Sequence, residues 1–155
     1  MAERGTPSLL LSLLCAIALA AGLWACGGDG AQTANGPGFG QVYSTIISQR
    51  CAGCHGIGDA GPNPGLFFGK LDMSTEQAAY SNLVGVKAAG VSCVMTGETR
   101  VVPGNAQESV MFGKVSAPLT MAETPCGDTM PDDGTSLTQD EVTLIQTWIN
   151  DGANR

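Results

Sequence analysis

The 155-residue chain contains one histidine, and it stands directly after the second cysteine of Cys51-Ala52-Gly53-Cys54-His55. No other feature limits the fold as tightly as this pattern. Two thiols three residues apart reach the two vinyl groups of one porphyrin, and the next side chain falls beneath the iron, so C-x-x-C-H is the attachment sequence of c-type haem. The expected cofactor is therefore one covalent haem c, attached through Cys51 and Cys54, with His55 as the proximal iron ligand. Two other chemistries use the same residue types. A thioredoxin-type redox pair wants a β-α-β context, whereas this motif follows a helical stretch and precedes a loop rich in Gly and Pro. A structural zinc site could take Cys51, Cys54 and His55, but it needs a fourth ligand, for which Cys93 or Cys126 would have to serve.

The remaining cysteines sort by position. Leu9 to Leu23 form an apolar run after Glu3 and Arg4, with the length of a signal-peptide core and short for a membrane span. It ends in Leu23-Trp24-Ala25-Cys26, which resembles the lipobox of bacterial lipoproteins, although Trp24 replaces the usual small residue. Residues 1–25 are thus expected to be a signal peptide and Cys26 the lipidated residue, with ordinary signal cleavage nearby as the alternative. Export follows either way. Residues 26–38, rich in Gly, Ala, Asn and Pro, read as a flexible tether. Of the six cysteines, Cys15 leaves with the signal segment, Cys26 goes to lipid, and Cys51 and Cys54 belong to the motif. Cys93 and Cys126 remain, and an oxidising periplasm would join them in a disulfide; two free thiols or an additional metal site are the alternatives. Asp29 does not directly follow Cys26, so the common inner-membrane retention signal of lipoproteins is absent and the outer membrane is favoured.

Helical periodicity brackets the motif. Phe39, Val42, Tyr43, Ile46 and Ile47 form the apolar stripe of a helix leading straight to Cys51. Val142, Ile145, Trp148 and Ile149 form a second, with Leu144 beside Trp148. Thr138 and Glu141 make a capping box for it, Leu137 a staple against Val142, and Gly152 its stop. Ser74 to Leu83 reads as a short helix and Gln107 to Lys114 as a weaker one. With 22 Gly, 8 Pro and only 14% charged residues, short helices joined by long turns are expected, so the fold class is all-α. The net charge of −7 argues against nucleic acid as a partner. It suits plain solubility or docking to a protein with a basic face.

Two terminal helices, C-x-x-C-H at the end of the first and a Met-Pro loop before the last resemble the class I cytochrome c fold over Phe39 to Ala153, the expected domain (residues 39–153). The resemblance implies that the terminal helices cross, with Phe39, Tyr43, Leu144 and Trp148 at the contact, and that the haem lies in an apolar crevice. The segment from Cys93 to Cys126 departs from the compact family pattern. The resemblance also places the distal iron ligand at Met130, just before Pro131; Met111 and Met121 are alternatives, and bis-histidine ligation within one chain is excluded by the single His. His/Met ligation raises the potential and suits an electron carrier. The implied function is electron transfer by a periplasmic, lipid-anchored monohaem cytochrome whose partners are redox proteins; it is not an enzyme. The rival is a haem-based sensor or peroxidase-like enzyme with a displaceable sixth ligand, for which Asp59 and Arg100 are the polar candidates. Arg100, Lys70 and Lys114 could pair with haem propionates but read as solvated charges. Asp128, Asp132 and Asp133 lack calcium-loop spacing and read as a polar turn. Gly56, Gly58, Gly61 and Gly65 would let backbone approach the cofactor.

Overall fold

The computed structural model describes residues 36–58, 61–62 and 64–155. The expected signal peptide, Cys15, Cys26, most of the tether and Asp59 lie outside the described residues. The domain is helical, as its short periodic segments require. In chain order it carries α1 (Phe39–Val42), a π-helical segment (Tyr43–Cys51), the two-residue strands β1 (Ile57–Gly58) and β2 (Gly61–Pro62), α2 (Pro64–Phe67), α3 (Glu76–Leu83), α4 (Val110–Thr120) and α5 (Gln139–Asn150). β1 and β2 pair antiparallel just after the motif.

The first helix differs from expectation in its hydrogen bonding. From Tyr43 onward the turns widen, ending with the Ala52 N–H on the Ile47 carbonyl at 2.8 Å. Polar side chains take carbonyls along this stretch: Ser44 Oγ donates to Gly40 O (2.8 Å), Ser48 Oγ to Ser44 O (3.2 Å) and Gln49 Nε2 to Ser44 O (2.9 Å). Such back-bonding competes with the regular ladder, and π-helical turns occur frequently at functional sites. Phe39, Val42, Ile46 and Ile47 are nonetheless fully buried.

α5 follows its sequence signals closely. Glu141 N–H donates to Thr138 Oγ1 at 3.2 Å and Thr138 N–H to Glu141 Oε2 at 2.7 Å, while Gly152 takes φ +101° past the helix end. Val142, Ile145, Trp148 and Ile149 are buried on one face. The rings of Phe39 and Trp148 meet at 5.1 Å between centroids, and Tyr80 from α3 closes on Phe39 at 5.1 Å. Asn154 O locks this corner, accepting from Phe39 N at 3.1 Å and from Trp148 Nε1 at 2.8 Å. Chain entry and exit are thereby held together beside the aromatic core. Leu144 and Tyr43 are only partly buried against it.

α3 begins two residues later than its sequence suggests, with Thr75 Oγ1 accepting from Ala78 N at 3.1 Å as its cap. α4 is the larger departure: it starts at Val110 rather than Gln107, runs past Lys114 and includes Pro118 before Met121 ends it at φ +57°. Its apolar face, with Val110, Met111, Phe112 and Val115 buried, outweighs these breakers. Gly113 admits Pro125 against the helix, where a Cβ would stand 2.7 Å from the proline Cδ.

Cys93 and Cys126 form a disulfide, which packs with Ala88 and Val110 as a small satellite of the main core. The bond spans a sequence separation of 33 residues, and closing such a loop removes about 4 kcal/mol of unfolded-chain entropy on the simple model. The segment it pins is irregular, tied by single bridges such as Val84 to Val101 and Lys87 to Thr99.

Candidate functional site

The helix leading to Cys51 ends in a turn that gathers the motif. Cys54 N and His55 N both donate to Cys51 O, at 3.1 and 2.9 Å, and Met73 N donates to His55 O at 2.6 Å. The His55 ring is thus fixed from two directions in sequence. Its Nδ1 lies 3.3 Å from Leu71 O. A carbonyl only accepts, so Nδ1 carries the proton in this contact and Nε2 keeps its lone pair. Burial holds the imidazole below its ordinary pKa, an effect the Leu71 carbonyl partly offsets. The ring is therefore neutral at pH 7, the form that ligates metals.

Gly65 makes the fit around this ring possible. A Cβ there would stand 2.7 Å from His55 Nδ1 and 2.8 Å from Cys54 O, and a Cβ on Gly69 would stand 3.3 Å from His55 Cε1. Of the glycines expected to permit close approach, Gly65 lies against the imidazole, while Gly56 lies against Ala52 O, where a Cβ would stand at 2.6 Å.

Cys51, Cys54 and His55 open onto a mostly apolar cavity of about 500 Å³, a size that accommodates a cofactor. Cys51 is half-buried and Cys54 exposed, and neither is in a disulfide. Burial pushes the Cys51 thiol up to about 11, against the lowering effect of Arg50, so it stays protonated at neutral pH. Met130 lines the same cavity, as do Met73 and Met111. Met95 and Met121 are 92% and 91% exposed, which removes Met121 as an alternative partner for the cavity.

Several ties hold the Met130 loop. Met130 N donates to Lys114 O at 3.1 Å, and Lys114 Nζ returns to Asp128 O at 2.7 Å, so α4 grips the loop on both sides of Thr129. The Met130–Pro131 peptide is cis. Arg50, next to the motif, donates through Nη2 to Thr135 Oγ1 (3.2 Å) and Ser136 O (3.1 Å). Asp133 Oδ1 accepts from Thr135 N and Oγ1 at 2.9 and 2.6 Å, and these bonds hold its carboxyl below the ordinary range. Of the three aspartates around Met130, Asp133 shapes the loop through its carboxylate and Asp128 through its backbone carbonyl; among the described residues no group of three or more His, Cys, Asp or Glu is placed to hold a metal ion.

The structure corrects one expectation outright. Arg100 is not a solvated charge but 5% exposed, and it lines the cavity. Lys114 is half-buried, its ammonium pKa lowered first by burial, whereas Lys70 is exposed with Nζ 4.9 Å from the Phe67 ring centre. The zinc alternative loses its fourth ligand, because Cys93 and Cys126 bond to each other. Sequence reasoning missed Leu71, whose contribution is a backbone carbonyl and so carries no residue signature; it named Arg100 as a candidate near the site but missed its burial, which depends on distant segments.

Comparison with protein-family profiles, curated proteins and solved structures gave no match to this chain.

Proposed function

We propose that this chain is an exported electron carrier of the cytochrome c type, holding one haem covalently through Cys51 and Cys54, with His55 and Met130 as axial ligands. The observation that carries the reading is the state of His55. Burial holds its pKa below the ordinary value, a carbonyl on Nδ1 orients it and leaves the lone pair on Nε2, and it lines a mostly apolar cavity that Met130 also lines. A metal-ligating histidine almost always donates its other ring proton in this way, which fixes its tautomer and raises its basicity. The donor set fits the group: two reduced thiols, one neutral imidazole and one thioether, with no acidic side chain needed.

Such a haem, when bound, supplies one-electron exchange between ferric and ferrous iron. The chain's own residues bind it, orient it and shield it. Cys51 and Cys54 keep it attached, and the apolar wall formed by Leu71, Leu83, Val110 and Leu137 excludes water. The disulfide, Lys114 and Arg50 restrain the loop bearing Met130, as a weak thioether ligand requires. An acidic chain of net charge −7 favours encounter with redox partners that present basic faces. The lipobox-like Leu23-Trp24-Ala25-Cys26 supports a lipid-anchored location outside the cytoplasm.

Two measurements test the reading. A haem stain after denaturing electrophoresis detects covalent haem, and a colourless band rejects the proposal. In Met130→Ala the far-red sulfur-to-iron absorption of the oxidised protein disappears and the reduced protein binds carbon monoxide. An unchanged spectrum assigns the ligand elsewhere, and carbon monoxide binding already in the wild type favours a sensor or peroxidase-like role.

A further inference from the structure

Arg100 is the one charged residue buried to 5% exposure in the described domain, and no carboxylate pairs with it there. A buried cation without an anion is costly unless its donors are satisfied. Arg100 satisfies them with backbone: Nη1 donates to Asn82 O at 2.9 Å, and Nη2 to Lys70 O at 2.7 Å and Gly69 O at 3.4 Å. Its own backbone is equally fixed, since Arg100 N donates to Val86 O at 2.8 Å and Met111 N donates to Arg100 O at 2.9 Å. The next carbonyl along from Gly69 and Lys70 is that of Leu71, the acceptor for His55 Nδ1.

We infer that Arg100 is the positioning residue of the His55 imidazole, acting through the Gly69–Lys70–Leu71 carbonyl run, whose place it fixes against the end of α3. The inference rests on the haem reading only for its effect on potential; the geometry belongs to the polypeptide itself. The guanidinium fork suits this task because it spans two segments with one rigid group, Asn82 on one side and Lys70 on the other. A lysine ammonium holds its three donors on one nitrogen and lacks the rigid fork that reaches both segments at once. Without the clamp the Leu71 carbonyl drifts from an Nδ1 contact that is already long at 3.3 Å. The imidazole then loses basicity and favours the oxidised iron less.

His55 is the only histidine, so its ring signals in the reduced protein labelled at histidine nitrogen need no assignment. Arg100→Lys keeps the charge and loses the fork. It is expected to retain covalent haem, to speed exchange of the His55 ring proton about tenfold relative to the backbone amides of α5, and to raise the potential. A tenfold shift toward the reduced form is about 59 mV for one electron. Arg100→Met is expected to show the same ring exchange or faster; should it fail to fold, Arg100→Lys alone decides. Wild-type ring exchange in Arg100→Lys overturns the inference. So does a ring proton that accelerates only in step with α5, which marks a merely structural role, or an Arg100→Met protein with lowered potential and unchanged exchange, which marks a role for charge alone. If the wild type carries no haem, the functional reading fails, while ring exchange in the same protein still decides the role of Arg100.

Discussion

Replacing Gly65 by alanine adds one methyl group at the point where the chain passes closest to the histidine. The new Cβ would stand 2.7 Å from His55 Nδ1, 2.8 Å from His55 Cε1 and 2.8 Å from Cys54 O, each about 0.6–0.7 Å inside the 3.4 Å onset of ordinary contact. Neither side yields readily. The loop is tied to the motif by Leu66 N on Cys54 O at 3.3 Å, and the ring is tied by Nδ1 to Leu71 O at 3.3 Å. Relief therefore requires breaking one of the two bonds. Overpacking of this kind costs about 1–3 kcal/mol, and the loss of a modest hydrogen bond falls within that range. Urea unfolding followed by circular dichroism reads the stability, and the His55 ring signals read the local change. Gly40→Ala is the control, because its Cβ would meet the Glu76 carboxyl group at ordinary contact distances of 3.6 to 4.0 Å, inside a helix where alanine gains about 0.5–1 kcal/mol over glycine. If Gly65→Ala stays within about 0.5 kcal/mol of the wild type and the ring signals do not move, the close approach of Gly65 to His55 is refuted.

Two further outcomes follow from the Met130 loop. The double variant Cys93→Ala/Cys126→Ala should lose up to about 4 kcal/mol of stability in urea unfolding, and the far-red absorption expected of a Met130-ligated haem should weaken because the segment around Cys93 and the loop upstream of Met130 lose their covalent tie; equal stability of the variant and the oxidised wild type refutes the first part. The depressed Asp133 carboxyl contributes stability to its turn above the ordinary carboxylate pKa of about 3.9, and that contribution is lost as pH falls through the lower folded value. Thr135→Ala removes the hydroxyl bond, so an Asp133 titration followed by nuclear magnetic resonance should move upward, and an unmoved titration shows that the backbone N–H alone holds it.

What could be read from residues alone was whatever depends on near neighbours in sequence. The C-x-x-C-H turn, the Thr138–Glu141 capping box and the stripe from Val142 to Ile149 each span fewer than ten positions, and local geometry determines them. Subtraction among six cysteines led to Cys93 and Cys126 as a pair, and they are bonded. The tertiary structure decided what depends on distant partners. α4 persists through Gly113 and Pro118 because its apolar face is buried and Pro125 fills the space at Gly113. Arg100 is buried because carbonyls 18, 30 and 31 residues away in sequence replace its water. The orientation of His55 hangs on Leu71 O, a group every residue possesses. No side-chain pattern can announce a backbone acceptor, so the chemistry of the imidazole was visible in the sequence and its aim was not.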